Sequence, residues 1–459
     1  MQLHDTLSGL KKPLEPISDE VRLYVCGITP YADSHIGHAV PAIVFDALRR
    51  YLEWETPRKR TYPVRHVTNF TDIDDKLIDR ANALGTTVQE LAEKHSDQYM
   101  TAIAKMNVLP ATAYPRATAE IPGILALIQG LIDKGIAYAS GGDVYYRVRK
   151  MPGYGKLSHR KVDDLLSGAR IDPTELKEDP LDFALWKSQK PGEPAWDSPW
   201  GRGRPGWHIE CSAMALGHLG EQIDIHGGGA DLIFPHHENE IAQTEAFTGK
   251  PFANIWMHNA LLQMGAEKMS KSLGNIITLD ESLDRFGADA VRLFILGSHY
   301  RSPLTYSEEA LEAAGAGAER LRSAAFASGP RRDDAGTPPD PEPYRQRFIA
   351  AMEDDLGTAQ AIAVLFDLAR EVNRARDEGR DYVPAQQLLR ELAEVIGLTL
   401  QAPESKVQEA RPFVDLLVSL RGELRAAKQF ALADRVRDGL LDLGIELRDG
   451  PDGTTWTAN

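Results

Sequence analysis

Apolar positions in the first hundred residues follow two rhythms in turn. Residues 21–25 make a short apolar stretch of strand length, and residues 62–67 make another. Between them Val44, Leu48 and Tyr51 fall at helical spacing over residues 41–51, with Pro41 suited to a first turn. Polar Thr68-Asn69-Phe70-Thr71-Asp72 then leads into a helical segment over residues 74–83. Strand, helix, strand, helix predicts an α/β fold with a doubly wound, Rossmann-type parallel sheet, which takes its ligands at the carboxyl ends of strands.

Residues 110–205 read as an insertion, with a helix near 121–134, a strand over 143–148, and a loop-rich half carrying Trp186, Trp196 and Trp200. The α/β pattern resumes near Gly206 and runs through Phe294, so a first domain over residues 1–305 is expected. Pro330, Pro338, Pro339, Pro341 and Pro343 mark a linker over 328–345. Amphipathic helices over 348–374 and 385–396, without strands, predict an all-α bundle within 306–400. Residues 401–459 predict a small α+β domain: a helix over 430–443, then a hairpin of 445–448 with 454–456 around Gly450-Pro451-Asp452-Gly453.

Composition sets bounds without naming an activity. At 459 residues, 42% hydrophobic and 26% charged, the chain has apolar mass for several cores. No stretch approaches the ~20 apolar residues of a membrane span. The N-terminal segment lacks a basic region followed by an apolar one, so no secretion signal is visible. Two cysteines cannot build a disulfide framework, and a cytoplasmic protein with no membrane partner is expected. A net charge of −15 argues against indiscriminate nucleic-acid binding and leaves room for RNA met through local basic patches.

Four clusters carry candidate chemistry. His236 and Glu240 are four apart, so a helix would project both from one face. With Cys26 and Cys211 they form a Cys₂-His-Glu set suited to zinc; His208, His226, His237 and Glu238 are alternative members, and two buried apolar cysteines are the bland alternative. In His35-Ile36-Gly37-His38, a strand-to-helix turn, Gly37 admits a ligand close to the backbone and the helix start offers N–H donors to phosphate. Lys268-Met269-Ser270-Lys271-Ser272 puts two lysines in a small polar loop able to clamp a polyphosphate. His226-Gly227-Gly228-Gly229-Ala230-Asp231 allows close backbone approach, as under an adenosine. Taken singly, the last three also suit plain turns and solvated loops.

They occur together. An early His-Ile-Gly-His and a late Lys-Met-Ser-Lys-Ser in one α/β domain resemble the paired signature of class I aminoacyl-tRNA synthetases. Within that class the chain closely resembles the cysteinyl-tRNA synthetase family, through Tyr24-Val25-Cys26-Gly27-Ile28-Thr29, Asn69-Phe70-Thr71-Asp72-Ile73-Asp74-Asp75-Lys76, residues 206–214, 231–240 and 268–275. The insertion segments Asp143-Val144-Tyr145-Tyr146 and Asp182-Phe183-Ala184-Leu185-Trp186-Lys187, the region 354–373 and the segment 431–435 extend the resemblance over nearly the whole chain.

The resemblance implies an ATP-dependent ligase. Such an enzyme converts L-cysteine and ATP, taken with Mg²⁺, to cysteinyl-adenylate and pyrophosphate, then passes cysteine to the 3′-terminal adenosine of tRNA-Cys. It implies one zinc per chain on Cys26, Cys211, His236 and Glu240, binding the substrate thiolate. Zinc favours sulfur and lowers thiol pKa, so serine is rejected without an editing domain. Thr71 and Trp207 would line the amino-acid pocket. His35, His38, Lys268 and Lys271 would be the catalytic phosphate contacts, with Gly37, Gly228 and Asp231 also on ATP. The implied domains are a catalytic domain over 1–305 with a stem-contact region about 276–305, a tRNA-binding bundle over 306–400, and an anticodon-binding domain over 401–459. A monomer is expected.

Some features depart from the family pattern. Residues 53–66, with Arg58-Lys59-Arg60 and Pro63, are longer and more basic than usual, and Thr68 stands where an Arg is common. Lys76-Leu77-Ile78-Asp79-Arg80 lacks the second lysine linked in some members to a pyridoxal-phosphate-dependent persulfide activity, so that activity is not expected. Two rival functions share much of this pattern: a cysteine ligase of mycothiol biosynthesis, and a non-catalytic zinc-dependent RNA-binding relative. The segment after residue 400 argues against the first, and the intact signatures argue against the second. That segment has eight Lys/Arg against nine Asp/Glu from 406 onward, sparing it most of the acidity, as suits a surface approaching phosphates.

Overall fold

A computed structural model describes residues 1–56, 59–162, 176–264, 277–332, 336–402, 406–450 and 453–458. The chain forms two compact units, Met1–Leu400 and Gln401–Asn459. In the first, a hairpin of β1 (Gln2–Asp5) and β2 (Leu10–Pro13) precedes β3 (Val21–Ile28), α1 (Ile36–Glu53), β4 (Val64–Phe70), α2 (Asp75–Leu84) and α3 (Val88–Lys105). The insertion contributes α4 (Ile121–Asp133) and an antiparallel sheet of β5 (Ala137–Ser140), β6 (Asp143–Tyr146), β7 (Phe183–Ser188) and β8 (Gly203–Pro205). One of its strands follows from the sequence pattern; the other three lie among turns and aromatic residues. The chain then runs through α5 (Trp207–Leu219), β9 (Ile223–Gly229), α6 (Glu238–Thr248) and β10 (Ala253–Asn259).

The central sheet is parallel, in the order β10-β9-β3-β4. Its first strand in sequence is therefore flanked on both sides, and the crevice between β3 and β9 is the switch point where such sheets receive ligands. Alternation along β3 sends Leu23 and Val25 into the apolar cluster with Ile43, Phe45 and Leu48 of α1. Tyr24 and Cys26 face the other way, into a cluster with Cys211, Leu157 and Trp256. The strand continues past Cys26 to Ile28, with a register shift against β4 between Val25 and Ile28. Gly27 is required there: a Cβ would lie 1.7 Å from the Asn69 carbonyl oxygen.

Two predicted helices change. The helix expected over 41–51 starts at Ile36, and Pro41 lies inside it rather than in its first turn. The start is fixed by a capping box of two histidines: Gly37 N–H donates to His35 Nδ1, and His35 N–H donates to His38 Nδ1, each at 3.1 Å. After β11 (Leu262–Met264), α7 (Leu279–Phe286), α8 (Ala288–Leu296), β12 (Leu304–Tyr306) and α9 (Glu308–Ala325), the helix expected over 348–374 is two, α10 (Glu342–Glu353) and α11 (Thr358–Asp377). Asp355 and Leu356 break it, with φ of 61° and 52°. The buried Asp355 carboxylate accepts from His4 N–H, the Tyr300 hydroxyl and the Arg301 guanidinium at 2.7–2.9 Å, so tertiary bonding overrides the helical pattern.

α12 (Val383–Val395) completes the bundle. Fully buried Arg292 of α8 pairs with Asp46 of α1 at 2.5 Å and donates to the Met106 and Ile396 carbonyls at 2.9 Å, tying α1 to the segment after α12. The second unit holds α13 (Lys406–Ala426), α14 (Phe430–Asp442) and the expected hairpin, β13 (Ile445–Gly450) with β14 (Gly453–Ala458). No helix among the described residues is long and apolar enough to cross a membrane.

Candidate metal centre and nucleotide cleft

The fold brings the two cysteines together. Cys26 Sγ lies 3.8 Å from Cys211 Sγ and 3.4 Å from Glu240 Oε1, and His236 Nε2 lies 3.0 Å from Glu240 Oε1. One donor atom of each lies within 4.8 Å of every other, and all four residues are buried. A tetrahedral site with metal–sulfur bonds of ~2.3 Å has a sulfur–sulfur edge of ~3.8 Å, so the thiols already stand at ligand spacing. His236 lies in the turn before α6, and Glu240 lies in that helix's first turn.

Electrostatics favours the ligating forms of Cys211 and Glu240. Its contact with Cys26 lowers Cys211 to about 6 against the opposing effect of burial. Burial and the neighbouring Cys211 push the Cys26 thiol well up. Burial also works against the Glu240 carboxylate, yet the His226 and His236 imidazoles beside it hold its pKa well below the usual range. Burial would lower His236, but Glu240 and Cys211 raise it to about 10. Two soft thiols, an imidazole and a carboxylate thus form a donor set matched to zinc.

A second quartet, Cys26, His226, His237 and Glu240, meets the same distance criterion. Its imidazoles lie further inside: His226 stacks on Trp256 at 4.4 Å and meets Glu240 Oε2 at 2.9 Å. His237 Nε2 is 3.2 Å from Cys26 Sγ; its Nδ1 is 2.8 Å from His258 Nε2, and His258 Nδ1 is 2.7 Å from the Thr6 hydroxyl. Burial pushes His237 well down and His258 to about 3, so each ring is neutral with one hydrogen. With Cys26 ionised, the chain must run from the Thr6 O–H through His258 and end as an Nε2–H of His237 on the sulfur. On the outer side, His208 Nδ1 meets His236 Nδ1 at 2.9 Å and orients that ring.

A cavity of about 430 Å³ opens beside the quartet, with Cys26, Trp207, His35, Gly37, His38, Gly229 and Asp231 on its wall. Trp207 is 40% exposed and stacks on His236 at 4.2 Å, so it is a wall residue and not core. His35 and His38 stack at 4.0 Å, and each Nδ1 accepts a backbone N–H. A neutral ring so engaged carries its hydrogen on Nε2. Thr71 is buried at the end of β4, its N–H on the Ile28 carbonyl and its hydroxyl accepting from the Asn69 amide.

The glycine run also has a packing role. A Cβ on Gly227 would lie 2.3 Å from the Phe45 ring, and one on Gly228 would lie 2.9 Å from both His237 and Leu232. These glycines are slots for side chains from within, and Gly229, one residue beyond Gly228, faces the cavity. Lys268 and Lys271 lie outside the described residues. Sequence reasoning missed Tyr31 and Lys76, which meet across the cavity wall with Nζ 5.8 Å from the ring centre. It also missed the His258–Thr6 relay, whose members no motif marks.

A parallel sheet with its ligand-type residues at the β3/β9 switch point, interrupted by an insertion and followed by a helical bundle, is the architecture of a class I tRNA synthetase. The family model "tRNA synthetases class I (C) catalytic domain" matches residues 13–316, and a DALR domain model matches 347–401. The chain belongs to the cysteine–tRNA ligase family: relatives of that name from Dehalococcoides mccartyi, Caldicellulosiruptor saccharolyticus and Pseudomonas aeruginosa are 54%, 50% and 49% identical, each over 99% of both chains. The fold is also that of Mycobacterium tuberculosis methionyl-tRNA synthetase in complex with methionyl-adenylate (TM-score 0.58, 17% identity, 87% of this chain and 94% of that one). A LeuRS–tRNA–LeuAMS complex from Agrobacterium radiobacter gives a TM-score of 0.56 at 12% identity, covering 84% of this chain and 85% of that one.

Proposed function

We propose that this chain activates L-cysteine with Mg²⁺-bound ATP, releasing pyrophosphate, and transfers the cysteine to the 3′-terminal adenosine of tRNA-Cys. The observation that carries this reading is one cavity whose wall holds both Cys26, a member of the buried Cys26–Cys211–His236–Glu240 quartet, and the paired His35 and His38. We assign one zinc ion to that quartet in preference to the inner one, because His236 stacks on the cavity-facing Trp207 whereas His226 packs on Trp256. Bound there, zinc supplies a sulfur-seeking Lewis acid that separates a thiol from the hydroxyl of serine. His226 and the His237–His258–Thr6 relay then act as hydrogen-bonding support to Glu240 and Cys26.

In the first step the cysteine carboxylate attacks the α-phosphate, and no protein nucleophile is needed. Trp207 and Thr71 hold the amino acid, Gly37, Gly228, Gly229 and Asp231 take the nucleotide, and His35 and His38 meet its phosphates. Lys268 and Lys271 would neutralise the departing pyrophosphate. In the second step a hydroxyl of the terminal adenosine attacks the activated carbonyl, the acyl–phosphate bond breaks and AMP leaves. Residues 276–305, the bundle to residue 400 and the unit beyond it are the surfaces we assign to tRNA, on a cytoplasmic monomer.

The test is cysteine-dependent ATP–pyrophosphate exchange followed by transfer of labelled cysteine to tRNA-Cys. Exchange without transfer would point to a cysteine ligase with another acceptor. No exchange would point to a binding protein. Elemental analysis should give one zinc per chain.

A further inference from the structure

We infer that Glu238 is a positioning residue for the metal centre: its carboxylate latches residues 153–160 of the insertion across the back of the Cys26–Cys211 pocket. The inference rests on the zinc reading above. Glu238 stands between His236 and Glu240 in the chain, yet it belongs to neither donor quartet. Its buried carboxylate accepts four hydrogen bonds, from Gly155 N–H at 2.9 Å, Leu157 N–H at 3.1 Å, and the N–H and hydroxyl of Ser158, both at 2.9 Å. Converging backbone N–H groups of this kind make an anion-binding nest. Here the insertion builds the nest and the ligand-bearing helix supplies the anion.

The loop has little freedom to do otherwise. Gly155 has a φ of +93°, and a Cβ there would lie 2.0 Å from the Arg160 carbonyl oxygen. Leu157, between the donors, is fully buried in the same apolar cluster as Tyr24, Cys26 and Cys211. Further contacts hold the same two elements together: the Tyr154 hydroxyl donates to Asn239 at 2.5 Å, and Lys156 pairs with Glu245. Of these grips, the Glu238 latch is flanked by both α6-side ligands. When it holds, Leu157 keeps water off the sulfur side of the pocket and the turn carrying His236 cannot swing out. When it slips, the thiolates meet water and competing ligands.

The test uses full-length zinc-loaded protein. Glu238→Gln keeps the shape but sets an amide NH₂ against the loop's N–H groups. Zinc should leave to a chelator about 10-fold faster, and the KM for cysteine in pyrophosphate exchange should rise by a similar factor while the KM for ATP stays at the wild-type value. Ser158→Ala removes one donor of four and should shift both readouts two- to threefold the same way (about the weight of one hydrogen bond), which keeps the inference testable if Glu238→Gln does not fold. Glu245→Gln, on the same helix but at the outer grip, should change neither. Wild-type zinc release and cysteine KM in the Ser158 and Glu238 variants would overturn the latch, as would a rise in the ATP KM in step with that for cysteine. A wild-type chain that binds no zinc would instead sink the metal reading itself.

Discussion

The two ends of the cavity are built on opposite plans. At the sulfur end all four donors are buried, and three are held by a further protein group: Glu240 by His226, Cys26 by His237, His236 by His208. At the phosphate end the histidines are the N-cap and third residue of α1, bonded to backbone N–H groups through the capping box and set in the cavity wall. The difference suits the two tasks we propose. Telling sulfur from oxygen needs donors fixed before the substrate arrives, because the discrimination lies in one bond. Stabilising phosphate needs charge delivered where it develops during reaction.

If the two ends are separate devices, each can be broken without the other. Cys211→Ser should have the largest effect, abolishing bound zinc and cysteine-dependent exchange together, as read by elemental analysis and pyrophosphate exchange. Lys271→Ala should lower the exchange kcat by ~10²–10³-fold with zinc content and cysteine KM unchanged; a matching rise in cysteine KM would show that the ends are coupled. His38→Ala should cost ~10²-fold in exchange and, by removing half the capping box, about 1 kcal/mol in denaturant unfolding.

The last effect concerns pH and leaves catalysis aside. Burial, with Arg49 nearby, lowers His66 on the cavity wall to about 4. Between ~6.5 and ~4 the unfolded chain binds a proton there that the folded chain does not, so stability falls as pH drops through that window, by up to ~1.4 kcal/mol per unit. His66→Gln should reduce that slope in unfolding measured across pH 4.5–6.5.

Much of this was legible in sequence. Short apolar runs and a helical rhythm marked β3, α1 and β4, and the Cys, His and Glu residues named a donor set. Spacing could not choose His236 over its neighbours, because α6 begins only at Glu238 and His236 sits in the preceding turn. Pro41 misplaced the start of α1, since the capping was done by histidines rather than the usual Ser or Asp. The break at Asp355 was invisible for the same reason as the His258–Thr6 relay: its partners lie far away along the chain. Gly227 and Gly228 have a packing reason that sequence could not show: Phe45, His237 and Leu232 fill the space a side chain would take there.

The indole of Trp207 lies 4.2 Å from the ring of His236, nearly parallel and open to solvent. That pairing makes the proposed metal centre optically addressable. An imidazolium quenches a stacked indole, whereas an imidazole committed to an ion cannot take up the proton, so loading the site should brighten the emission. Seven tryptophans share the chain, and subtracting the spectrum of Trp207→Phe isolates the one that watches the metal.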